Sequence, residues 1–327
     1  MNAEFHYYAV YFLCLRSGME SGRCADIAFA SQYVDNAILA YEIDDGDFSY
    51  RTEITQNYIF WDESTLRDIY LPFHFIPGDF EKAKAERVDD AASRWTVTPD
   101  SPLAKELLID ALKSGDDFRI GIALHSYADT WAHQHFSGRV ESCNIVDSSS
   151  PLPAAGHLQA LRTPDEAVGI WTDTRLRRGL SHIENRSRFL AAARKIYRYL
   201  CTSMRRGFDD EDLVADELAA IWSYGRGDMK SRIASFAVDL DVPAYDKRYY
   251  LERAGVADES SEDGSLPGYD KLAWLKAEIA RRTGAGSGAR RVLTRGRFRG
   301  SELHRWNEAA KVHRARAQSL LAREGLL

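Results

Sequence analysis

The run Leu124-His125-Ser126-Tyr127-Ala128-Asp129-Thr130-Trp131-Ala132-His133-Gln134-His135-Phe136 holds three imidazoles and a carboxylate within eleven residues. A helix advances about 100° per residue, so His125, Asp129 and His133 fall on one face, one turn apart. Ile120, Ile122, Ala123, Leu124, Trp131, Ala132 and Phe136 around them are apolar. A solvated face would show Lys, Glu or Gln. Instead, groups that are costly to bury sit in an apolar setting, and these groups are the usual ligands of divalent metals. The plainer alternative, two surface histidines beside an ion pair, leaves that setting unexplained.

The same chemistry recurs along the chain. His6 stands between Phe5 and Tyr7, Asp35 lies in the apolar stretch around Val34, and His74 is enclosed by Phe73 and Phe75. His157 follows Ala154-Ala155-Gly156. Any one of these alone reads as a hydrogen-bonded core residue. Together with the central run they point to one destination. The candidate metal ligands are therefore His6, Asp35, His74, His125, Asp129, His133, His135 and His157. Neutral imidazole and carboxylate suit zinc first, with manganese or iron as alternatives. The absence of Cys from the set disfavours a structural zinc site. His182 reads as a structural or capping residue, His304 as exposed, and His313 as a core histidine with one hydrogen bond.

Helices must position these groups. Apolar spacing predicts helices over 22–42, 101–114, 116–136, 184–206, 210–224, 227–238, 268–283 and 301–323, with a charged, Ala-rich one over 78–93. A Tyr-rich piece follows at 244–252. The stretch 143–165 is rich in Ser, Pro and Gly and reads as loop. Residues 40–60 partly alternate and allow a hairpin around Asp45-Gly46. In the last helix Trp306, Ala310, His313, Ala317 and Leu320 share a face. The expected fold is all-α, a multi-helix bundle with little or no strand. The expected organisation is a helical metal-binding domain over 1–256, an acidic linker over 257–267, and a C-terminal helical extension over 268–327. That extension includes a basic, Gly/Arg-rich and mobile segment at 284–300.

The chain has 327 residues, 45% of them hydrophobic, and a net charge of −6. That charge argues against a dedicated nucleic-acid binder, although a basic patch stays possible. No apolar run is long enough to span a membrane, and no signal peptide is read at the N-terminus. The four cysteines are scattered, as expected of a cytoplasmic protein. No Walker A, G-x-S-x-G or dinucleotide fingerprint is present. The oligomeric state is left open.

Two resemblances can be carried by quoted residues. Phe5-His6-Tyr7-Tyr8, Ser31-Gln32-Tyr33-Val34-Asp35, Phe73-His74-Phe75-Ile76-Pro77-Gly78 and the run from Gly121 to His133 resemble a bacterial family of uncharacterised proteins. The likeness continues through Gly156-His157-Leu158-Gln159-Ala160, Pro164-Asp165, Glu184-Asn185-Arg186 and the segment from Ala309 to Arg314, so it covers nearly the whole chain. More distantly, an early His, an Asp on a helix, a further His, and His-x-x-x-Asp followed by another His six residues on resemble the zinc-dependent phospholipase C and S1/P1 nuclease superfamily. That likeness implies an all-α enzyme with up to three metals, held at His6, Asp35, His74, His125, Asp129 and His135, with a later ligand pair starting at His157. Helix geometry instead favours His133 over His135. In the superfamily the mature N-terminal amine is a ligand. Here Met1 to Phe5 precede His6, so Glu4 substitutes or that metal is missing. Relatives carry a His where this chain has Arg162, which leaves the third metal position open.

The implied chemistry is hydrolysis of a phosphoester by water activated at a di- or trinuclear cluster of one to three ions. Asp129 would bridge, Asp35 or a nearby carboxylate would serve as base, and Arg162 with Lys/Arg residues of the C-terminal part would contact phosphate. The substrate could be a phospholipid, a nucleotide or a nucleic acid. A non-hydrolytic iron or manganese protein is the second reading, disfavoured because no Glu-x-x-His pair is present. A scaffold with a structural metal and a basic interaction tail is the third. It draws on the ten basic and three acidic residues of 284–327.

Overall fold

Gly115, at φ +66°, ends the helix Pro102–Ser114 in the left-handed region. The Asp116 carboxylate then accepts the N–H groups of Phe118 and Arg119 at 2.9 and 3.1 Å. The helix so begun, Asp117–Ala132, is buried from Ile120 to its end and carries His125 and Asp129 through the middle of the molecule. This is a computed structural model, and it describes every residue except 47, 225–227, 259–269, 271 and 295–297.

In chain order the helices are α1 (Val10–Arg16), α2 (Ser21–Asn36), α3 (Glu63–Thr65), α4 (Phe80–Glu86), α5 (Pro102–Ser114) and α6 (Asp117–Ala132). They continue with α7 (Asn185–Ser203), α8 (Glu211–Tyr224), α9 (Met229–Leu240), α10 (Tyr249–Arg253), α11 (Ala273–Thr283) and α12 (Glu302–Arg323). Two stretches, Glu4–Ala9 and Leu66–His74, wind more widely as π-helix. The strands are β1 (Ala40–Asp44), β2 (Ser49–Arg51), β3 (Ile170–Thr172), β4 (His182–Glu184), β5 (Val256–Asp258) and β6 (Ala289–Thr294). No helix among the described residues is long and apolar enough to cross a membrane.

The expectation of an all-α bundle with little or no strand is overturned. One sheet has the order β2-β1-β6-β5, with β1 and β6 parallel, and a second pairs β3 with β4. Helix 22–42 stops at Asn36, and its predicted tail becomes β1. The Gly/Arg-rich segment expected to be mobile contains β6. Register explains why: Ile43 and Val292 pair and are both buried, while Glu42 and Arg291 pair on the outer face with ion-pair contact at 3.7 Å. The hairpin over 40–60 is present as β1 and β2. The predicted 78–93 helix shortens to α4. Most of the acidic 257–267 stretch lies outside the described residues.

Helix α6 is surrounded by α2, α5, α7 and α12. Its crossing with α2 is close at Gly121, where a Cβ would lie 2.3 Å from the Ile27 carbonyl oxygen and 2.7 Å from Ala30 Cβ. That contact brings Asp35 on α2 toward His125 on α6. Helix α12 buries Trp306, Ala310, His313, Ala317 and Leu320, and Asn307 Oδ1 accepts the Glu53 N–H at 2.6 Å beside the sheet.

Candidate metal centre

Five side chains from four segments, the Asp129 carboxylate among them, meet in one cluster. Asp129 Oδ1 lies 3.1 Å from His6 Nε2, and Oδ2 lies 3.2 Å from His74 Nδ1 and 3.3 Å from His125 Nε2. Asp35 Oδ1 is 3.7 Å from His125 Nε2 and 4.0 Å from His74 Nδ1. His6-His125-Asp129 and Asp35-His74-His125 each bring three ligand atoms within 4.8 Å of one another, and so does a third group, His133-His157-Asp165. In that group Asp165 lies 3.3 Å from His133 Nε2 and 3.4 Å from His157 Nε2.

The fold supplies each position. His125 and Asp129 are one turn apart on α6, and Asp35 ends α2. Thr55, delivered by the chain leaving β2, donates its hydroxyl to the Val34 carbonyl at 2.6 Å and so holds the end of α2. The Thr55 carbonyl accepts His74 Nε2–H at 2.8 Å. His133 caps α6. Gly156, at φ +52°, packs so closely on the Phe75 ring that a Cβ would sit 2.7 Å from it, and the His157 and His133 rings stack at 4.9 Å.

These residues fit a metal on two grounds. The first is spacing. Two ligand atoms on one tetrahedral zinc stand about 3.3 Å apart when its bonds are about 2.0–2.1 Å, and the contacts above run from 3.1 to 4.0 Å. The second is tautomer. His74 Nε2–H, His133 Nδ1–H and His157 Nδ1–H donate to the carbonyls of Thr55, His74 and Leu161 at 2.8, 2.7 and 2.8 Å. A neutral ring so held keeps its lone pair on the other nitrogen, which faces a carboxylate. Two electron-rich groups face each other stably only around a cation or a proton.

The electrostatics agree. Burial, then His125 and the Met1 amine, push His6 down to about 3. Burial would raise Asp129, but His133, the Met1 amine and His125 hold it well below the usual carboxylate range. Burial would also raise Asp165, yet His157, the amine and His133 hold it low. The Met1 amine contacts Asp129 and lies 3.3 Å from Asp165. Burial opposes its charge, but Asp129, Asp165 and Asp35 raise it to about 10. Burial likewise opposes the His133 charge, and Asp129 and Asp165 lift its pKa above the usual value.

Among the candidates from the sequence, His6, Asp35, His74, His125 and Asp129 converge, and His133 and His157 form the neighbouring group. His135 belongs to none of the three groups: its Nε2 lies 3.3 Å from Glu86, and burial with Arg188 and Arg175 pushes it down to about 3. Arg162 is exposed. Glu4 is no substitute ligand, because Arg232 takes both its oxygens at 2.7 and 2.9 Å. Sequence reasoning missed Asp165. Its only signal was the Pro164-Asp165 string, eight residues after His157.

The fold and site define a mixed α/β protein whose buried His/Asp groups can hold metal ions. The chain belongs to a family described as "Family of unknown function (DUF6765)", whose model matches residues 1–321. No curated protein and no solved structure matches it.

Proposed function

We propose that this chain is a metal-dependent hydrolase acting on a phosphoester. His6, Asp35, His74, His125, Asp129, His133, His157 and Asp165 would hold two or three ions. The nitrogen and oxygen donor set favours zinc. One observation carries the reading: the ligand groups share residues. His125 belongs to two of them, and the two oxygens of Asp129 face different imidazoles. A lone structural ion needs no such sharing.

Clustered cations, when bound, neutralise phosphate oxygens and lower the pKa of a water. Asp35 is the most open of the three carboxylates, with a side chain 23% exposed, and is placed to accept a proton at the solvent side. Thr55 and Leu161 keep their histidines in the metal-binding tautomer. Arg162, exposed on the loop that leads to Asp165, can reach a substrate phosphate. The order His6, Asp35, His74, His125, Asp129 resembles that of the phospholipase C and S1/P1 nuclease superfamily and is compatible with this reading, whereas the His135 of that spacing lies outside the three groups.

Among the described residues of the tail, Arg314 pairs with Glu53, and Arg316 and Arg323 pair with Glu106, so these three of its ten basic side chains are engaged within the chain, which weakens the scaffold alternative.

The test is metal content followed by turnover. Protein purified without added metal should carry two or more ions per chain by mass spectrometry. It should hydrolyse bis(p-nitrophenyl) phosphate, and lose that activity on chelation and in Asp35→Asn. A single ion with no turnover on phosphomonoesters or phosphodiesters would sink the proposal.

A further inference from the structure

The Leu66–His74 segment ends on two carbonyls that its own helix cannot satisfy. Helix ends leave such groups orphaned, and Pro77, which lacks an N–H, stands where the next wide-turn donor for Pro72 would be. Each carbonyl is taken by a histidine from elsewhere. His133 Nδ1–H donates to the His74 carbonyl at 2.7 Å, and His313 Nε2–H donates to the Pro72 carbonyl at 2.9 Å.

His313 touches both walls of the site. Its ring stacks on Phe73 at 5.3 Å, one residue from His74. Its Nε2 lies 3.2 Å from Ser126 Oγ, one residue from His125. Ser126 in turn reaches the carbonyls of Ile122 and Pro72 at 3.3 and 3.4 Å. Helix α12 therefore ties the Leu66–His74 segment to α6 at the level of their ligands, through one buried imidazole that is 5% exposed. Burial pushes that ring down to about 4, so it carries a single proton at neutral pH.

We propose that His313 is a positioning residue of the metal centre: by donating to the Pro72 carbonyl it sets the distance between His74 and His125, and so the affinity of the ion they share. The proposal rests on the reading of these groups as metal ligands, though not on the reaction assigned to them. Groups one step out from the ligands typically carry about 10- to 100-fold in metal affinity.

The experiment compares His313→Gln, which keeps an N–H donor, with His313→Met, which keeps volume without one. Zn²⁺ affinity is read by chelator competition, the Co²⁺-substituted visible spectrum reports coordination, and melting is recorded in chelator. His313→Met should weaken Zn²⁺ binding roughly tenfold or more and alter the Co²⁺ spectrum, and His313→Gln should stay within a few-fold of wild type. Equal Zn²⁺ affinity in all three proteins, with only melting lowered, would make His313 a packing residue and overturn the proposal. Equal loss in both variants would overturn it too, because the donor would then be irrelevant. Wild-type protein that binds no Zn²⁺ or Co²⁺ would sink the metal reading itself, and this proposal with it. Failure to hydrolyse phosphoesters would leave the affinity comparison standing on its own.

Discussion

Around Asp129 every candidate side-chain ligand rides on a helical segment; around Asp165 two of the three ride on a loop. His6, Asp35, His74, His125 and Asp129 are placed by helix register and by the close α2–α6 crossing at Gly121. His157 and Asp165 lie in a stretch with only short 3-10 turns. There, side-chain amides do the positioning. Asn185 Nδ2, at the start of α7, donates to the carbonyls of Thr163 and Glu166 at 2.5 and 2.9 Å, on either side of Asp165. Asn144 Nδ2 donates to the carbonyls of Ser137 and Arg139, and Gln159 Oε1 accepts the Val146 N–H. A helix resists displacement of one residue through all its backbone hydrogen bonds. A loop resists through a few amides that can be removed singly.

This contrast can be broken most severely at Asp129. Asp129→Asn removes the charge shared by the helical group and facing the Met1 amine, so it should strip nearly all the metal bound by that group, as counted by mass spectrometry. His135→Ala, outside every group, should leave the count unchanged. Full metal retention in Asp129→Asn would end the idea of a shared carboxylate.

The next largest effect falls on the anchor of the helical region. Arg232→Met leaves Glu4 buried without its partner and should cost about 3–5 kcal/mol, read by urea unfolding. Glu4→Gln combined with Arg232→Met should recover much of it. A neutral single mutant would show that α9 does not hold the Glu4–Ala9 turn.

Acid should act on the helical side through His313. Its pKa falls from about 6.5 in the unfolded chain to about 4 in the fold. Between these values the unfolded chain binds the extra proton, so stability drops as pH falls through this window, by about 3 kcal/mol for a shift of this size. Chelator-treated His313→Gln should show that much less stability loss than wild type between pH 7 and pH 4. Parallel curves would refute the assignment.

The smallest and sharpest change belongs to the loop. Asn185→Ala removes two hydrogen bonds worth about 1 kcal/mol each. It should weaken one ion roughly tenfold and leave the ions near Asp129 in place. Loss from both regions would mean that they are not independently built.

The helical region was the legible one. The His125-Asp129 spacing, the apolar flanks and the Asp116 start are local, and a helix converts local spacing directly into a shared face. The hairpin was legible for the same reason. What escaped depends on distant partners. Asp165 has no periodic neighbourhood, and its role comes from His133, His157 and the clamp by Asn185. Strand β6 sits in a Gly/Arg-rich stretch with weak strand propensity and exists because β1 offers an edge with matching register. The wide turn at Leu66–His74 contains Pro72, which reads as a helix breaker; the Arg67 carbonyl that its missing N–H would serve is taken by Gln318 Nε2 at 3.3 Å. His135 was implied by spacing in distant relatives, and its left-handed φ of +67° turns the chain away from the face of His133.

The parallel pairing of β1 with β6 also sets an order of assembly in time. Synthesis delivers β1, Asp35 and His74 early, while β6 and His313 come near the end. Until then β1 has one open edge, a template for the wrong partner, and the Pro72 carbonyl waits without its donor. The nascent chain therefore owns its ligands well before it owns the parts that fix them. A chain halted before residue 289 would present an open strand edge beside His6, Asp35, His74, His125 and Asp129 with neither β6 nor His313 to fix them.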